Sequence, residues 1–177
     1  MLLIRTVIIF FCFSALVFAK QPALEYKVKA AYLYNFTKFI SWPDKQSETF
    51  NLCILGEDPF GPLLKPLEQR SAMDKPIHLI RLDTLDQARQ CHMLYIGDET
   101  RVRSAELAAS SAVNSLHGVL TVSSQPSFAK SGGMIGFVIK EGRVRLQVNL
   151  AALKKNGLKI SAKLMEVAEL VVGDYDE

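Results

Sequence analysis

Two short apolar runs that each close on glycine constrain this chain more than any other feature: Phe50-Asn-Leu-Cys-Ile-Leu-Gly56 and Cys91-His-Met-Leu-Tyr-Ile-Gly97. A run with no regular polar alternation cannot leave one face in water, so each reads as a strand covered on both sides. Between them the sequence predicts a short helix over Pro62–Glu68, a strand over Ile77–Arg81 and a polar helical turn over Thr84–Gln90. After them, Val102, Ala105, Ala109 and Val113 mark another helix, which ends near Gly118 before a fourth strand at Val119–Val122. Strands alternating with helical stretches need crossover connections, which produce parallel pairing. The fold class expected is α/β: a mainly parallel sheet flanked by helices.

The pattern changes beyond Ser124. Met134–Lys140 and Arg143–Val148 are β-rich and joined by the two residues Glu141-Gly142, which predicts a C-terminal antiparallel hairpin. Leu150–Lys155, stopped by Gly157, then reads as a helix. A second is expected over Ala162–Val172, with Ser161 as N-cap and Leu164, Ala168 and Val171 as its inner stripe.

At the other end, Met1–Ala19 carries one basic residue, an apolar run and small residues at Val17 and Ala19, the three parts of a secretory signal. The run is short against the roughly 20 apolar residues of a membrane-spanning helix. Cleavage is expected after Ala19, with residues 20–177 forming a single domain. An uncleaved membrane anchor is the competing reading. The 21 basic residues against 18 acidic ones leave a formal net charge of +3, too little for a nucleic-acid footprint.

Pro22–Ile40 has helical spacing with apolar residues on two sides. Leu24, Val28, Ala31, Tyr32 and Phe39 form one row; Tyr26, Ala30, Leu33, Tyr34 and Ile40 form the other. Such a helix either lies deep in the protein or offers one row to a neighbour. The second row is the candidate partner or dimer interface, and Trp42-Pro43 is expected to stop the helix.

Catalytic chemistry finds little support. The histidines His78, His92 and His117 are scattered without metal-ligand spacing, and each reads as a packed or surface residue. The sequence contains no G-x-S-x-G elbow, C-x-x-C pair or phosphate-cradling glycine loop. Neither a metal nor a cofactor is therefore expected. The loops at the strand ends, Gly56–Gly61, Gly97–Glu99 and Ser123–Gln125, occupy the usual ligand position of an open α/β sheet, although ordinary turn chemistry explains the same residues. Ser131-Gly132-Gly133 allows either a close backbone approach or a flexible turn. Cys53 and Cys91 remain after processing; they either pair, as an exported compartment favours, or pack as two buried thiols. Strand alternation would place Cys53 with Asn51 and Leu55, and Cys91 with Met93 and Tyr95.

The ordered series Tyr26–Pro43, Leu52–Gly56, Cys91–Ile96, Leu120–Ser123, Gly132–Ile135 and Leu158–Leu164 resembles the YfiR family of periplasmic proteins. The opening helix ending in Trp-Pro and the Gly-Gly-Met-Ile start of the hairpin carry most of that resemblance. It implies a periplasmic, dimer-forming regulator whose best-known relative represses an inner-membrane diguanylate cyclase of the YfiN type by binding its periplasmic domain. It also implies that Cys53 and Cys91 form a disulfide, while the later cysteine pair of some members is missing here. Lower cyclic-di-GMP signalling and biofilm formation would follow. The alternative is a periplasmic small-molecule receptor acting on a membrane sensor histidine kinase.

Overall fold

The computed structural model describes residues 21–97, 113 and 115–173. The expected signal segment and the expected helix over 102–113, apart from Val113, lie outside these residues, as do Asp98 and Glu99 of the second strand-end loop. In chain order the elements are α1 (Gln21–Phe39), β1 (Ile40–Ser41), β2 (Phe50–Leu55), β3 (Ser71–Ala72), β4 (Lys75–Leu82), β5 (Met93–Ile96), β6 (Leu120–Ser123), β7 (Ile135–Lys140) and β8 (Arg143–Asn149). They continue with α2 (Leu150–Lys155), β9 (Lys159–Ile160), α3 (Ala162–Glu166) and β10 (Ala168–Val171). Tight 3₁₀ turns over Gly61–Gln69 and Leu85–Gln90 occupy the two positions where short helices were expected.

Eight strands form one sheet in the order β10-β8-β7-β6-β5-β2-β4-β3. Within this sheet the pairs β4–β2, β2–β5, β5–β6, β6–β7 and β8–β10 are parallel and β3–β4 and β7–β8 antiparallel, while β1 and β9 form a separate antiparallel pair. The mainly parallel α/β architecture and the C-terminal hairpin are thus present. Glu141 and Gly142 both take positive φ, 52° and 69°, the geometry a two-residue turn needs to follow the strands' twist.

β2, β5 and β6 are buried along their whole length, which explains why their sequences lack alternation. On one face Leu52, Ile54, Met93, Tyr95, Leu120, Val122 and Phe137 pack with Ala30, Leu33 and Phe36 of α1 and Ile40 of β1. The rings of Phe36 and Phe137 stack at 6.1 Å. On the other face Cys53, Leu55, Leu94 and Ile96 pack with Ala88, Cys91, Leu116, Val119 and Phe128.

The C-terminal helix is shorter than its sequence suggests. Ser161 does cap α3 by accepting from the Leu164 N–H, but the helix ends at Glu166, and Ala168–Val171 form a strand beside Leu146–Asn149. Leu164 is buried as expected, whereas Ala168 and Val171 lie on a sheet edge and form no helical stripe. The i, i+4, i+7 spacing of three apolar residues fits either state; the open backbone edge of β8 selects the strand.

Gly133 packs beneath a side chain: a Cβ there would lie 2.3 Å from the Phe128 ring. The close approach in the Ser131–Gly133 turn is therefore made by an aromatic ring.

Candidate functional site: a disulfide and histidine centre and an exposed sheet edge

β2 and β5 are direct neighbours, with Leu52 opposite Met93 and Leu55 opposite Ile96. This register alone sets Cys91 three residues out of step with Cys53. The chain bends at Cys91 and His92 as it leaves the Leu85–Gln90 turn, bringing the two Cα atoms to 5.9 Å, and the sulfurs are bonded. The bend also corrects the expected side of the sheet. Cys91 packs with Cys53, Leu94 and Ile96, while Met93 and Tyr95 belong to the opposite face.

The residue after Cys91 is a fully buried ionisable group. His92 has no solvent exposure, and its ring stacks on Phe50 at 4.8 Å. Its Nδ1 accepts from the Asn51 N–H at 3.0 Å, so the neutral ring carries its proton on Nε2, which has no hydrogen-bond partner among the described residues. Backbone groups around it are held by distant side chains. Trp42 Nε1 donates to the His92 carbonyl at 2.7 Å, and Lys45 Nζ donates to the carbonyls of Arg89 and Cys91, each at 2.6 Å. Lys75 Nζ donates to the Lys45 carbonyl at 2.9 Å. Burial, followed by the positive charges of Lys45 and Lys75, pushes the imidazole down to about 4. Burial also lowers the Lys45 ammonium.

This arrangement holds a neutral imidazole. His78 and His117 are exposed and lie elsewhere, and among the described residues no three His, Cys, Asp or Glu side chains are placed to hold a metal.

In the described parts of the strand-end loops, polar side chains bond the loops' own backbone and Arg81. Asp58 Oδ1 accepts from the N–H groups of Phe60 and Gly61, and its Oδ2 pairs with Arg81 at 2.6 Å. Ser123 Oγ donates to the Ile96 carbonyl at 2.8 Å, and Gln125 Nε2 donates to the Gly97 carbonyl at the same distance. Gly97 itself is needed because a Cβ would come within 2.4 Å of the Glu57 carbonyl.

The α1 row expected to meet a partner divides on folding. Ala30, Leu33 and Ile40 are buried in the protomer's own core, and Phe36, which neither apolar row included, completes their stripe. These three residues therefore offer no docking surface. Tyr26 is half-buried against Phe60, and Tyr34 is half-buried beside Arg70 and Lys38. Exposed apolar surface instead collects near the C-terminal edge. Val167, Leu170 and Val172 are 59%, 51% and 77% exposed, and Ile139 of the hairpin is 51% exposed. Among the described residues β10 pairs only with β8, leaving its other edge open, and Glu169 on that strand forms an ion pair with Lys140. Sequence reasoning missed this surface because it placed the same residues on a helix.

Among the described residues no helix is long and apolar enough to cross a membrane. These features define a disulfide-stapled α/β domain with an apolar sheet edge that is open among the described residues. Residues 26–169 match the family model described as YfiR/HmsC-like, and the chain belongs to that family, one of periplasmic regulatory proteins. No curated protein gives a significant match to the chain.

Proposed function

We propose that the mature chain is a periplasmic regulatory binding protein that represses an inner-membrane diguanylate cyclase of the YfiN type. Family membership over residues 26–169 carries this reading. The exposed apolar residues support it with a surface suited to docking: Val167, Leu170 and Val172 flank or lie on the open edge of β10. An unpaired strand supplies backbone donors and acceptors as well as apolar side chains, so the cyclase's periplasmic domain can be met by strand addition. Of the α1 row, Ala30, Leu33 and Ile40 are buried in the core and take no part in docking, whereas Tyr26 and Tyr34 keep partly exposed rings. A homodimer, if formed, must use surface outside Ala30, Leu33 and Ile40.

Repression by binding requires no turnover and no cofactor. Deletion of the gene is expected to raise cyclic-di-GMP, matrix production and surface attachment, and re-expression of the exported chain restores the original levels. Unchanged cyclic-di-GMP in the deletion strain would refute repression of a cyclase.

A further inference from the structure

The outer face of α1 carries a second feature, separate from the β10 edge. Between it and the Gly61–Gln69 turn runs a groove of about 210 Å³, lined by Lys27, Ala31, Tyr34, Leu63, Leu67 and Arg70. Its floor is apolar. Its charged lining residues, Lys27 and Arg70, are both cations, and no carboxylate among the described residues lines it.

Tyr34 sits among positive groups. The Arg70 guanidinium lies 5.3 Å from the ring centre and Lys38 Nζ lies 4.6 Å from it. Lys27, Lys38 and Arg70 make no ion pair among the described residues, where the pairs present are Lys29–Glu25, Arg81–Asp58 and Lys140–Glu169. Contact with a ring face satisfies a cation only in part. The remaining charge therefore faces an apolar trough with no anion to meet it.

We propose that this groove binds a small organic anion: a carboxylate carrying a compact apolar body. The carboxylate lies between Lys27 and Arg70, and the apolar body covers Leu63, Leu67 and the Tyr34 ring. At about 210 Å³ the groove falls below the roughly 300–1,000 Å³ of sites for drug-sized ligands, which limits the occupant to a small metabolite. The assignment holds whichever protein the β10 edge meets, and it gives the domain an input site away from that edge.

The test is isothermal titration of the full mature chain with phenylacetate, with phenethylamine and inorganic phosphate as matched probes. Phenylacetate is expected to saturate with a Kd of about 1 mM. Phenethylamine, with the same ring but a positive charge, is expected not to bind, and phosphate, with charge but no apolar body, is expected to bind at least about tenfold more weakly than phenylacetate. Arg70→Glu should weaken phenylacetate at least about tenfold, and Ala31→Phe, which fills the groove from an exposed position, should abolish binding. Circular dichroism checks that both variants fold. The proposal is overturned by absence of saturable phenylacetate binding, by phosphate or phenethylamine binding as tightly, or by unchanged affinity in both folded variants.

Discussion

The two faces of the central sheet are held by different means. On the α1 face a 19-residue helix inserts Ala30, Leu33 and Phe36 among strand residues, and ring contacts run from Phe36 to Phe137 and from Tyr26 through Phe60 to Tyr95. On the opposite face the described residues are mostly smaller aliphatic chains gathered around a covalent bond between Cys53 and Cys91. One face depends on burying large side chains, whereas the other gains from limiting the unfolded chain. The difference teaches that the cysteines anchor one face of the sheet while aromatic packing of the helix anchors the other, and the proposed docking edge at β10 belongs to neither.

The largest expected effect comes from charging the helix-packed face. Leu33 has no exposure, so Leu33→Asp places an unpaired carboxylate in the core and is expected to cost more than about 4 kcal/mol, abolishing the folded state. Circular dichroism and urea unfolding check this. A folded Leu33→Asp protein with impaired association alone would restore the row as a surface and break the comparison.

Next in size is the bridge. The cysteines are 38 residues apart, and replacing both by serine is expected to cost roughly 3–4 kcal/mol on the chain-entropy model. A shift in the urea midpoint of the oxidised protein against the double variant measures it. Loss of less than about 1 kcal/mol would show that noncovalent packing holds both faces.

The smallest of the three lies where the two faces meet. His92 follows Cys91, and its carbonyl receives Trp42 from the α1 side. Its folded value of about 4 lies below the ordinary 6.5, so between these values the unfolded chain binds more protons than the folded one. Stability from this group is complete above pH 6.5 and falls as pH drops from 6.5 through 4, by at most about 3 kcal/mol at 1.36 kcal/mol per unit. Urea midpoints measured across that window should slope downward toward acid in the wild type, and the slope should flatten in His92→Gln. Equal slopes in the two proteins would remove His92 as the source.

Much of this organisation was legible in the sequence. The buried parallel strands announced themselves as apolar runs without alternation, and Glu141-Gly142 marked the hairpin. The misreadings arose where a pattern fits two partners. Leu164, Ala168 and Val171 satisfy helical spacing, and only the free edge of β8 draws the last two into a strand. On α1 both sides are apolar, and the buried stripe Ala30-Leu33-Phe36, continued by Ile40 of β1, could have been recognised by including Phe36. The side of the sheet reached by Cys91 depended on a bend at His92, which strand alternation does not encode. The lysine and tryptophan contacts around His92 span 30 to 50 residues of sequence and leave no local motif.

The central claim is that this chain works by docking on a cyclase through its open sheet edge. Affinity capture from detergent-solubilised inner membranes, with the bound proteins identified by mass spectrometry, tests it most directly. The wild-type mature chain is expected to retain a diguanylate cyclase, and folded Leu170→Asp is expected to lose it. A wild-type chain that retains no diguanylate cyclase, or a Leu170→Asp chain that retains just as much, would contradict the account.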